Sequence, residues 1–117
     1  METLLLLFWL VVEIQPDYLR AYDLLNKILI KNKKEQEGAR MLEDLALKSA
    51  LPKPIYLNIG NLYSLMGESY YPIALDYFIK AYSKGKTNDV ALCSHIIKLA
   101  SRLGRQDVVN EYSQFCN

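Results

Sequence analysis

Between Tyr56 and Ala81 the apolar positions follow a helical period twice over. Tyr56, Ile59, Gly60 and Tyr63 fall on one stripe, and Ala74, Phe78 and Ala81 on a second. Spacings of three and four place side chains on one face of a helix. Gly67 lies between the stripes and marks a turn. The stretch therefore predicts two amphipathic helices folded against each other. Gly60 and Ala74 stand where the pair should approach most closely, because a larger side chain would hold the helices apart.

The pattern recurs. Moving back about 34 residues carries Tyr56 to Tyr22, Ile59 to Leu25, Gly60 to Asn26 and Tyr63 to Leu29. With a two-residue offset, Ala74 maps to Gly38, Phe78 to Leu42 and Ala81 to Leu45. The turn Met66–Pro72 thus carries two extra residues, which a loop tolerates at little entropic cost. One further step back places Leu4, Phe8 and Val11 on a second-helix stripe. Pro16 then stops that helix, and Asp17 is placed to cap the next. Pro52 and Pro54 mark the following join. Moving forward, Cys93, Ile96, Ile97 and Ala100 take first-helix positions, and Gly104 marks the turn. Val109 and Tyr112 lie on the last helix, with Asn88 or Asp89 as an N-cap and Asp107 in a first turn that favours an acid.

The spacing predicts seven helices and no strands, over 2–14, 17–31, 35–49, 54–66, 70–83, 89–103 and 106–115. A large aromatic, an apolar residue with a glycine, an aromatic one turn on and then Ala-x3-Phe resemble the tetratricopeptide repeat family. The resemblance implies an all-α, right-handed superhelical solenoid of antiparallel helix pairs in a single domain, 1–117. Its parts would be a half repeat (1–18, second helix only), a repeat (19–52), a repeat with the turn insertion (53–88) and a degenerate terminal repeat (89–117). In the last, Ile97 stands where Gly60 stood and the large aromatic is lost.

Composition narrows the function classes. The chain has 117 residues, half of them apolar, and a net charge of +1, which suits a folded core and argues against a surface devoted to nucleic acid. The basic edge of Lys31–Lys34, Arg102 and Arg105 has no interleaved aromatics for base stacking. The single histidine, His95, is adjacent to Ser94 and two residues from Cys93. Neighbouring helix positions diverge, so no catalytic pair or metal site is expected. No phosphate loop is present, and neither an enzyme nor a cofactor is expected. Cys93 and Cys116 form no spacing motif, so reduced thiols in a cytoplasmic protein are the expectation. A disulfide would need the last two helices to bring them together.

The family resemblance also implies a concave surface lined by the first helix of each repeat. The matching positions are Arg20, Asp23, Lys27 and Lys31, then Leu57, Asn58, Asn61 and Ser64, then Ala91, Ser94, His95, Lys98 and Arg102. The expected contacts to a partner are Arg20, Lys27, Lys31, Asn58, Asn61, Lys98 and Arg102. Their charge favours an acidic peptide or helix, although solvated helix faces would carry the same residues. The clamp by which some family members hold chaperone C-termini is not expected, since Asp23, Lys27, Ala91 and His95 replace four of its five residues. The ends are apolar. The run from Leu4 to Val12 is too short to span a bilayer and lacks the features of a signal peptide. Phe8, Trp9 and Phe115 are then end-face packing residues. They imply a segment of a longer array, a covering partner or self-association. The alternatives to a groove are a structural solenoid segment that stacks through its ends, and a repeat protein tethered to a membrane by residues 1–12.

Overall fold

The computed structural model describes residues 6, 9–11, 14–15, 19–85 and 89–116. Among these there is no strand, and six α-helices follow in order: α1 (Leu19–Lys31), α2 (Glu35–Lys48), α3 (Pro52–Leu65), α4 (Tyr71–Lys84), α5 (Val90–Arg102) and α6 (Gln106–Ser113). A short 3-10 turn, Glu68–Tyr70, precedes α4. Leu6, Trp9–Val11 and Ile14 are also helical, within the predicted 2–14 element. Phe8, Pro16, Asp17 and Asn88 lie outside the described residues.

Local chemistry explains the boundaries. Pro52 opens α3 at its first position, where a missing N–H costs nothing. Glu35 and Glu37 begin α2 and Lys48 ends it, complementing the helix dipole. The Asp89 side chain caps α5 by accepting from the Leu92 N–H at 3.0 Å. Two turns end alike. Lys34 N–H donates to the Leu29 carbonyl at 2.9 Å, and Arg105 N–H to that of Ala100 at 2.8 Å. In each, the preceding residue has left-handed backbone: Gly104 at φ 72°, and Lys33 at φ 57°. This is the Schellman closure, which glycine adopts freely and lysine only with strain. The two extra residues between α3 and α4 are absorbed by Gly67, at φ 124°, and the 3-10 turn behind it.

Helices adjacent in sequence pack on one another, and α1 also packs on α3. The Cα envelope measures 45 × 30 × 20 Å. Its shortest dimension is about two helix diameters, hence two layers. The core is one apolar cluster running from Tyr22 and Leu25 through Leu42, Ile59, Leu75 and Phe78 to Ile96 and Tyr112. The close approach expected at Gly60 is present, and a second lies at Gly38. A Cβ on Gly60 would lie 2.6 Å from the Phe78 ring, and one on Gly38 would meet the Leu29 side chain. The stripe on α2 ends differently from the expectation: Ala46 is fully buried and Leu45 only partly.

Tyrosines reinforce the α3–α4 seam. Tyr77 stacks near Tyr63 and Tyr56 at ring separations of 5.8 and 6.3 Å, and the Lys80 ammonium sits 5.0 Å from the Tyr77 ring. Burial, and then the Glu43 carboxylate, push the Tyr77 phenol far above its ordinary pKa. It stays a neutral hydrogen-bond donor.

Candidate functional site

Two shallow depressions of about 340 Å³ each lie against α1, α3 and α5. One is bounded by Asp23, Asn26 and Lys27 of α1 and by Asn61, Ser64 and Leu65 of α3. The other is bounded by Ser64, by Tyr71 of α4 and by His95, Lys98, Leu99 and Arg102 of α5. Ser64 belongs to both, so the two adjoin. Helical spacing explains the grouping: Asn61 and Ser64 are three apart on α3, and His95, Lys98 and Arg102 advance by three and four on α5.

Of the residues expected to contact a partner, Lys27, Asn61, Lys98 and Arg102 line these depressions and are exposed. Arg20 and Lys31 are exposed but line neither. Asn58 departs from the expectation. It is 3 % exposed and faces Asn26, which is 2 % exposed. The two amides bond reciprocally: Asn26 Nδ2 donates to Asn58 Oδ1 at 2.8 Å, and Asn58 Nδ2 to Asn26 Oδ1 at 2.9 Å. Asn58 is therefore an interhelix strut, and its amide is already engaged. The sequence held a signal for this. Asn58 stands three residues after Ile55 and four before Leu62, and both are fully buried.

Sequence reasoning also missed Tyr71 and Glu68. The Arg102 guanidinium lies 5.3 Å from the Tyr71 ring and forms an ion pair with Glu68. Both partners hold Arg102 in place. His95 is exposed, with its ring edge-on to Phe78 at 4.7 Å, whereas Cys93 is completely buried. The two side chains face opposite ways and form no nucleophile–base pair. Among the described residues no group of three or more His, Cys, Asp or Glu side chains is placed to hold a metal ion.

The expectation of reduced cysteines is overturned. Cys93 and Cys116 form a disulfide, with Cα atoms 5.8 Å apart. The cause is the α5–α6 hairpin: α6 buries Val108 and Tyr112 and returns the chain beside the buried face of α5. Only the three-dimensional fold brings positions 23 apart together.

The end-face expectations are met unevenly. Trp9 is partly buried against the core and, with Leu6, Leu25, Leu29 and Met41, borders an apolar cavity of about 230 Å³. Leu6, Leu10 and Ile14 are exposed at four-residue intervals. Phe115 is 44 % exposed, with one ring face on Tyr82. Among the described residues no helix is long and apolar enough to cross a membrane. The fold class is all-helical. No family model matches the chain, and no curated protein or solved structure does either.

Proposed function

We infer that this chain is a non-enzymatic protein-interaction module, a tetratricopeptide-like array whose concave face takes an acidic peptide or helix of a partner protein. The observation that carries this reading is the pair of adjoining depressions meeting at Ser64, which gives one path across α1, α3 and α5, edged by polar and charged side chains. Lys27, Lys98 and Arg102 supply cations along it, against Asp23 within the path and Glu68 at the Arg102 guanidinium. Asn61 supplies an amide able to bond a peptide backbone. Complementary charge contributes selectivity and association rate more than affinity.

The test is fluorescence anisotropy of a labelled, Glu- and Asp-rich amphipathic peptide against the full chain. Reversing charge with Lys98→Glu and Arg102→Glu together should weaken binding about tenfold or more, and Asn61→Ala by a smaller factor. Added salt should weaken the wild type steeply. Equal affinity of wild type and the charge-reversed variant would remove the groove reading.

A second reading is favoured by the exposed Leu6, Leu10 and Ile14 row: a stacking segment of a larger assembly. In that case Leu6→Glu with Leu10→Glu would disrupt association, measured by light scattering, and the groove variants would not.

A further inference from the structure

We propose that the Cys93–Cys116 pair is a reversible thiol–disulfide site, entered by a dithiol reductant at the Cys116 sulfur, whose opening frees the Phe115 tail while α6 stays docked. The two ends of the bond differ in access. Cys93 is 0 % exposed on α5, inside the core cluster. Cys116 is half-buried in the chain that follows α6. Exchange requires a thiolate to approach one sulfur in line with the bond, and only the Cys116 side offers that approach.

The step balances as follows. A thiolate of the dithiol attacks the Cys116 sulfur, the protein bond breaks, and its electron pair leaves with Cys93. The reagent's second thiolate then attacks the reagent sulfur of the mixed disulfide and expels Cys116 as a thiolate. Two electrons pass to the protein, the reagent closes to a cyclic disulfide, and its two protons end on the two cysteines. The Cys93 sulfur takes up one of these protons. The structure supplies an acceptor for it. The Tyr112 carbonyl lies 3.3 Å from the Cys93 sulfur, so the reduced thiol can donate across the α5–α6 contact.

That bond, with buried Val108 and Tyr112 and the edge contact of Tyr112 on Tyr82 at 5.4 Å, holds α6 without the disulfide. The tail is held less well. Phe115 rests on Tyr82 and Tyr112 at 6.2 and 5.6 Å and stays partly exposed, and one backbone bond of 3.0 Å ties it to Tyr112. Opening the disulfide therefore loosens the residues after α6 and uncovers the Tyr82 and Tyr112 rings.

The test uses the full chain, purified without reductant. A monothiol such as glutathione, added below the level that completes reduction, should leave its adduct on Cys116 and not on Cys93 after acid quenching and peptide mass spectrometry. Dithiothreitol should then restore two thiols, change near-ultraviolet circular dichroism from the tyrosines and leave the far-ultraviolet helical signal within a few per cent. In Cys116→Ser, native Cys93 should react with an alkylating agent at least about a hundredfold more slowly than after denaturation, as expected of a buried thiol. Adduct on Cys93, rapid native labelling of Cys93 in Cys116→Ser, or loss of helix on reduction would each overturn the proposal. So would two titratable thiols in protein that no reductant has touched.

Discussion

Replacing Asn58 by alanine should destabilise the protein by about 3 kcal/mol, and the partner residue carries the proof. The two side-chain amides exchange one bond in each direction, at 2.8 and 2.9 Å, Asn26 Nδ2 also reaches the Asn58 backbone carbonyl at 3.4 Å, and both side chains are nearly inaccessible to solvent. A net contribution of about 1 kcal/mol per bond gives about 2 kcal/mol for the pair. Truncating one side also strands a buried N–H and a carbonyl on the other, whose desolvation adds about 1 kcal/mol or more. Asn26→Ala should cost the same for the same reason. In Asn26→Ala with Asn58→Ala nothing is stranded, so the double variant should lose about 2 kcal/mol rather than 6. The readout is urea unfolding followed by the helical signal, with slopes compared to establish that the unfolded state is unchanged. A domain with about 5–15 kcal/mol of stability remains folded after a loss of this size. Single losses below about 0.5 kcal/mol, or a double loss equal to the sum, would refute the strut.

Three further outcomes follow from local geometry. Gly60→Ala gains about 1 kcal/mol of helix propensity, but its Cβ would lie 2.6 Å from a Phe78 ring that is 1 % exposed and edged by His95; overpacking of about 1–3 kcal/mol should leave a net loss in urea unfolding. Lys33→Gly should stabilise by about 0.5–1 kcal/mol in the same assay, because the φ of 57° strains a lysine and suits a glycine. Asp89 accepts from the Leu92 N–H and then from Lys53, at 2.9 Å, and both depress its carboxyl pKa below the usual value; the unfolded chain therefore binds the proton first, so this stability is complete above about pH 4 and drains away as pH falls through the lower folded pKa. Thermal melts of wild type and Asp89→Asn should converge in that acid range and separate above it.

The helices and their closest contacts were legible because they depend on spacing. Leu25, Leu29, Ile59, Gly60, Ala74 and Phe78 recur at three and four residues, and every one of them is buried as that period requires. The start of α5 was legible to within one residue, since Asn88 or Asp89 was the expected cap and Asp89 is the cap. What remained hidden depends on the third dimension. Lys33 takes the left-handed position that Gly104 takes in the later turn, and its sequence gives no sign of it. Cys93 and Cys116 share no motif because a hairpin, and not a spacing, brings them together. The repeat resemblance places Asn58 on the concave face, and the structure buries it. Its neighbours Ile55 and Leu62 lie on the same face and carried the better signal, since position on the helix decides exposure and residue type only follows it.

The Asn26–Asn58 strut also bears on how the proposed groove would keep its shape. Asn26 borders the first depression with Asp23, Lys27 and Asn61, and its amide is bonded into α3 just beneath that surface. An apolar contact between α1 and α3 would tolerate rotation of either helix, because dispersion is non-directional. Two antiparallel amide bonds tolerate little, since they weaken steeply with angle. The strut thus fixes the spacing of Lys27 from Asn61 without touching a ligand. Loss of partner binding in Asn58→Ala would therefore report a displaced α1, whereas loss in Asn61→Ala at unchanged stability would report a missing contact. Measuring affinity and unfolding on the same two variants separates the frame of the groove from its lining.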